Sequence, residues 1–189
     1  MNHVYCIRHG WSQHNEGFAE RGMSAFEEKK YIKSSLTEKG KIQAMRLGNG
    51  WKEKNSIDII LCSPLERCIE TALLIFGKNC KINILECLRE YPAGLHWCNY
   101  RSSREELLNN YHQIESIDIP INDTNDNYFN KERFETKLEL KNRVKTLKQY
   151  LKKYQGKTIA IVGHCSYFGE LLGKNLEDIE HCHPYYIKL

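Results

Sequence analysis

The chain has 189 residues, 41% hydrophobic and 28% charged, which is the composition of one ordinary globular domain and excludes a disordered tail. A net charge of +4, from 28 basic and 24 acidic residues spread along the chain, lacks the concentrated basic stripe of a nucleic-acid binder and suits a small anionic partner. No apolar run reaches the ~18 residues of a membrane span, and the start, Met1-Asn2-His3-Val4-Tyr5-Cys6, has no basic or apolar leader region, so a non-secreted chain is expected.

Three apolar runs read as buried strands: Val4 to Ile7, Ile57 to Cys62 and Thr158 to Val162, with a weaker one at Ile82 to Leu85. Helical patterns separate them. Ser35-Leu36-Thr37-Glu38 reads as a capping box that opens a helix to about Trp51. Ser63-Pro64-Leu65-Glu66 reads as a second start, with Ser63 as the cap and Leu65, Ile69, Ala72, Leu73 and Phe76 at helical spacing behind it. The stretch from about Glu90 to Glu135 is rich in Asn, Asp, Tyr and Ser. Only Ser103 to Tyr111 looks helical there, and the whole reads as a lid-like excursion above the sheet. A third helix, about Leu138 to Tyr154, carries a stripe of Leu140, Val144, Leu147, Leu151 and Tyr154, and Gly156 ends it. Tyr185-Tyr186-Ile187 reads as an edge strand or docking segment. Strands alternating with helices predict an α/β three-layer sandwich. Its central sheet is mostly parallel and flanked by helices, in a single domain 1–189 with a small insertion at about 90–135.

The eight cysteines contain no Cys-x-x-Cys pair and several sit inside apolar runs, which points to free thiols and a cytoplasmic compartment. A zinc reading of His181-Cys182-His183, helped by Cys98 or His96, is disfavoured because adjacent ligands on one short segment make poor tetrahedral geometry.

The residues that follow the strands are the informative ones. The first strand ends in Arg8-His9-Gly10, the second runs into Ser63 with Arg67 one turn into its helix, and the third passes through Gly163 to His164-Cys165-Ser166. Ligands of parallel α/β sheets bind outside the carboxyl ends of the strands, so these segments should share one crevice. Two guanidiniums match phosphate oxygens, helix N-termini behind Gly10, Ser63 and Gly163 would add backbone donors, and one imidazole can attack phosphorus and carry the group covalently. No acidic cluster suggests a Mg²⁺ site, and the arginines would offset phosphoryl charge without a cofactor. Taken singly, Arg8-His9 also fits a surface pair, His164 a satisfied core histidine and Arg67 a solvated helix charge.

These segments resemble, in order, the blocks of the histidine phosphatase superfamily, in the branch of metal-independent phosphoglycerate mutases and related phosphatases. Arg8-His9-Gly10-Trp11-Ser12-Gln13-His14-Asn15 resembles its Arg-His-Gly-x-Ser/Thr-x-x-Asn signature. Leu36-Thr37-Glu38-Lys39-Gly40-x-x-Gln43-Ala44 and Ser63-Pro64-Leu65-Glu66-Arg67-Cys68-Ile69-Glu70-Thr71-Ala72 are similar to its next two blocks, and Val162-Gly163-His164-Cys165-Ser166 to its last. The resemblance implies His9 as the nucleophile that becomes phosphohistidine, with Arg8, Arg67 and His164 as the phosphate pocket. It implies Asn15 as a further donor or a loop residue. Leu88-Arg89-Glu90 resembles the segment that supplies the general acid, so Glu90 takes that role, against a plain surface charge beside Arg89. Leu95-His96-Trp97-Cys98-Asn99-Tyr100-Arg101 departs from the mutase pattern, and His96 and Asn99 stand where another placement of the acid would use an aspartate. In the excursion Arg101, Arg104 and Tyr128 are candidates to touch substrate, against solvated loop residues.

The expected activity is hydrolysis of a small phosphorylated substrate. The alternatives are phosphoryl transfer of the mutase type and a catalytically silent module of the same fold. A cysteine-nucleophile phosphatase is rejected because Leu171 stands where that motif needs arginine, six residues after Cys165. The sequence leaves the oligomeric state open.

Overall fold

The computed structural model describes residues 1–121, 126 and 132–189. Six strands form one sheet in the order β4-β3-β2-β5-β1-β6. They are β1 His3–Arg8, β2 Ile59–Cys62, β3 Ile82–Ile84, β4 Ile114–Ile117, β5 Thr158–Gly163 and β6 Pro184–Lys188. The first five pair in parallel and β6 closes the edge beside β1 in antiparallel register. The helices are α1 Gln13–Arg21, α2 Glu38–Gly50, α3 Glu66–Phe76, α4 Arg104–Asn110, α5 Lys137–Leu151 and α6 Cys165–Leu172.

The central strands are apolar throughout because both faces are covered. Alternate residues divide between the layers. Val4, Cys6, Leu61, Ile159 and Ile161 pack with Leu140, Leu147 and Phe168 of α5 and α6. Ile7 and Ala160 pack with Ala44 of α2, and Ile60, Cys62 and Val162 with Ile69 and Ala72 of α3. This is the three-layer α/β sandwich read from the sequence. The eight cysteines are free thiols, five of them buried.

Local starts and stops differ in places. Thr37, not Ser35, caps α2, accepting from the Gly40 amide at 3.2 Å. Helix α3 begins at Glu66 behind an extended Leu65, so Ser63 is not its cap. The α5 stripe is as expected from Leu140 to Leu151, opened by a Thr136–Glu139 capping box, but the helix ends at Leu151, Tyr154 lies in a 3-10 turn behind it, and Gly156 does not cap it. The excursion is more than a lid with one helix. Ile114–Ile117 adds β4 to the sheet edge, and it escapes notice because four residues with two polar ones between isoleucines carry little periodicity. The tail 185–187 lies within β6, the edge strand. Tyr128 lies outside the described residues. No helix among the described residues is long and apolar enough to cross a membrane.

Candidate active site

Strand register builds the site. Arg8 pairs with Gly163, and Cys62 with Val162, so β1, β2 and β5 end at one level. The ladder continues one step, with the His9 amide donating to the Gly163 carbonyl and the Ser63 amide to the Val162 carbonyl, each at 3.0 Å. His9, Ser63 and His164 therefore emerge side by side at the carboxyl edge.

The loop behind β1 is held from two helices. The Gly10 amide donates to Thr71 Oγ1 at 3.0 Å, and the Trp11 amide to Gln43 Oε1 at 2.8 Å. The Thr37 amide donates to the Trp11 carbonyl at 3.0 Å. A Cβ on Gly40 would lie 2.0 Å from that carbonyl, so only glycine lets the α2 backbone approach. The sequence blocks around Gly40, Gln43 and Thr71 thus fix the loop that carries His9.

His9 is 2% exposed. Its Nδ1 lies 2.7 Å from the Gly10 carbonyl. A carbonyl only accepts, so Nδ1 carries the proton and Nε2 of the neutral ring presents a lone pair. Arg67 Nε donates to that Nε2 at 3.2 Å. Burial, then the Arg67 guanidinium, hold the His9 pKa well below the usual histidine value. The imidazole is neutral at physiological pH, as a nitrogen nucleophile must be.

Arg67 is itself buried, and its fork is aimed by the segment after Glu90. Nη1 donates to the Cys98 carbonyl at 2.7 Å and Nη2 to Asn99 Oδ1 at 3.0 Å. The His164 ring stands edge-on to His9 with centroids 5.2 Å apart, and its Nε2 contacts Ser63 Oγ at 2.8 Å. Burial and Arg67 also depress the His164 pKa. His9, Arg67 and His164, three of the residues singled out in the sequence, are therefore one cluster. Arg8 is beside it, with Nη1 on the Ile179 carbonyl at 2.7 Å and Nε buried without a partner.

Asn15 Oδ1 accepts from the Ser12 amide at 3.1 Å and from Ser12 Oγ at 2.7 Å, which is a loop-building role, and its Nδ2 contacts His14 Nε2 at 3.4 Å. Glu90 lies across the N-terminus of α6. Its Oε1 accepts from the amides of Tyr91 at 2.7 Å, Ser166 at 3.2 Å and Tyr167 at 3.3 Å. Burial raises the Glu90 pKa, and these amides together with Arg67 and Arg8 oppose the rise. The backbone donors expected to face a phosphate behind Gly10 and Gly163 are thus engaged by Thr71, Gln43 and Glu90. Glu90 is no surface charge beside Arg89.

A buried ionic cluster fixes the segment that carries Glu90. Arg89 reaches Asp126, the Asn99 carbonyl and, at 3.1 Å, Glu86. Arg101 pairs with Glu86 at 2.9 Å. Arg143 of α5 donates to the Arg89 carbonyl at 2.7 Å and to Glu135 at 2.6 Å. Arg104 Nη1 donates to the carbonyls of Ile117 and Ile119, both at 3.0 Å. Arg101 and Arg104 are structural here, neither solvated loop residues nor aimed at the cluster.

Three site neighbours escape the sequence reading. The His14 ring lies 5.8 Å from that of His9, between Ser12 Oγ and Ser34 Oγ. Asn99 is noticed in the sequence only as a missing aspartate. His181 is considered only as a metal ligand. It donates from Nδ1 to the His9 carbonyl at 2.6 Å, and its ring stands edge-on to His9 at 5.5 Å. Among the described residues no three His, Cys, Asp or Glu side chains converge to hold a metal ion.

The family model for the histidine phosphatase superfamily (branch 1) matches residues 4–185. The chain belongs to this superfamily. It is 32% identical over 130 residues to a probable phosphoglycerate mutase of Arthroderma benhamiae, covering 57% of this chain and 38% of that protein's length. An alpha-ribazole phosphatase of Shigella flexneri superimposes with a TM-score of 0.65 at 23% identity, over 99% of this chain and 90% of that one. A phosphoserine phosphatase of Entamoeba histolytica does so with a TM-score of 0.59 at 22% identity, over 100% and 96%. These two likenesses show that the superfamily fold is shared.

Proposed function

We propose that the chain is a phosphomonoester hydrolase working through a phosphohistidine on His9. The observation that carries this reading is the tautomer: Nδ1–H is tied to Gly10, which leaves the Nε2 lone pair beside Arg67. In the first step Nε2 attacks phosphorus, the bond to the leaving oxygen breaks, and Glu90 gives that oxygen its proton. In the second step Glu90 takes a proton from water, the water oxygen attacks phosphorus, the P–N bond breaks and inorganic phosphate leaves. Arg8, Arg67, His164 and Asn15 Nδ2 stabilise the phosphoryl oxygens, with the arginines offsetting most of the charge and no cofactor required. A phosphoryl group entering between His9 and Arg67 replaces their direct contact with N–H···O–P bonds. The raised Glu90 pKa suits a group that must be protonated in one step and ionised in the next.

Transfer to a second substrate hydroxyl, as in a mutase, is the competing reading, and the name of the fungal relative favours it. Against it, Arg89, Arg101 and Arg104 are bound to protein acceptors, so these three do not serve to grip a glycerate carboxylate. The test is incubation with p-nitrophenyl phosphate, and separately with 3-phosphoglycerate plus a trace of 2,3-bisphosphoglycerate. Release of phosphate supports the hydrolase, and isomerisation without net phosphate overturns it.

A further inference from the structure

A row of rings leads away from His9. His14 lies against it at 5.8 Å, Phe26 against His14 at 5.6 Å, and His96 against Phe26 at 5.2 Å. Phe134 then packs on His96 at 4.6 Å and is 40% exposed, so this row runs unbroken from the nucleophile to solvent. His181 contacts both His9 at 5.5 Å and Trp11 at 5.2 Å. The histidines among these rings are held neutral by burial: His14 is well below its usual pKa, His96 is lowered, and His181 is pushed down to about 3. They present ring faces and edges, not cations. The neighbouring lysine Lys39 lies over the Trp11 ring at 4.1 Å. Arg89, Arg101 and Arg104 are tied to Glu86, Asp126 and backbone carbonyls, and Arg133, next to Phe134, is paired with Glu139 at 2.7 Å. Rings prefer offset or edge-on partners and gain from burying further aromatic area.

Resting on the hydrolase reading, we propose that the leaving-group subsite selects aromatic phosphomonoesters, with Phe26, His96 and Phe134 as the selecting wall. The subsite favours an aryl or arylmethyl group over a carboxylate-bearing or polyol one. The comparison must hold leaving-group chemistry constant, because a phenolate leaves more easily than an alkoxide whatever the pocket. Benzyl phosphate, phosphoserine and 3-phosphoglycerate all release alkoxide oxygens. The expected kcat/KM for benzyl phosphate is at least about tenfold higher than for either of the others, the scale of one well-filled apolar contact. Phe134→Ala, at an exposed position, raises KM for benzyl phosphate several-fold and lowers kcat/KM for benzyl phosphate by a larger factor than for phosphoserine. Phe134→Leu restores part of the preference. Equal or lower kcat/KM for benzyl phosphate, or a Phe134→Ala effect that is the same on both esters, overturns the assignment. Binding of benzylphosphonate against phosphonoacetate, by calorimetry, decides the matter without turnover. If no ester is hydrolysed the hydrolase reading falls, while tighter benzylphosphonate binding that weakens in Phe134→Ala still supports the subsite, and tighter phosphonoacetate binding contradicts it.

Discussion

Glu90→Gln separates the amide-accepting contacts of Glu90 from the acid role proposed for it. Oε1 accepts three backbone amides, two of them at the N-terminus of α6. A glutamine carbonyl keeps that acceptor, so the fold should lose no more than about 1 kcal/mol. What is lost is the ionisable proton. General acid catalysis contributes about 10²–10⁴-fold, or about 3–5 kcal/mol of barrier. The loss must depend on the leaving group. An alkoxide needs the proton, so rapid-quench measurement of the phosphorylation step with benzyl phosphate or phosphoserine should fall by about 10²–10⁴-fold. p-Nitrophenolate leaves unprotonated, so its phosphorylation step should survive, while slow hydrolysis of the intermediate produces a stoichiometric burst. The pH dependence follows in sign. Burial raises the Glu90 pKa, so the protonated acid persists above the ordinary carboxyl range near ~4.3, and the alkyl-ester rate falls as pH rises through the raised value. That limb should vanish in Glu90→Gln. Equal loss on alkyl and nitrophenyl esters, or undiminished alkyl phosphorylation, would refute the assignment of Glu90 as the acid.

Two further predictions concern stability. Arg89→Met removes the guanidinium that faces Asp126 in the buried cluster behind Glu90, while Glu86 keeps Arg101, and urea denaturation should show a loss of about 3–5 kcal/mol, with less than 1 kcal/mol contradicting the cluster's role. His9, His14, His164 and His181 all have depressed pKa values when folded. The unfolded chain therefore binds more protons below its histidine pKa near ~6.5, and stability is lost as pH falls from there, by up to about 1.4 kcal/mol per pH unit for each such ring. Chemical denaturation between pH 7 and 5 should show this slope in the wild type and a shallower one in His14→Asn. Stability that is flat over this range would show that the rings are not held neutral by the fold.

The sandwich was legible because β1, β2 and β5 are apolar on both faces, a pattern that only a doubly covered parallel sheet explains. The cluster was legible because His9 and His164 directly follow β1 and β5 and Arg67 sits in the first turn of the helix behind β2, so strand register brings them together with little knowledge of the loops. Beyond that reach, legibility failed for physical reasons. The cap of α2 sits at Thr37 because Thr37 also ties down the Trp11 carbonyl, a tertiary contact that a capping pattern does not contain. The α6 amides face Glu90 because Arg143, fifty-odd residues away in sequence, fixes the Arg89 carbonyl. His14 and His181 reach His9 through packing of α1 and of the segment before β6. Arg101 reads as a loop charge in sequence, yet it is 2% exposed because its partner Glu86 comes from the segment behind β3, before the excursion.

The central claim is that His9 Nε2 takes the phosphoryl group directly. Mixing the protein with a ³²P-labelled phosphomonoester, quenching within milliseconds and mapping the label tests it in one step. The account predicts an acid-labile, base-stable adduct on the peptide carrying His9, absent from His9→Ala. A label elsewhere, or turnover that continues in His9→Ala, would contradict it.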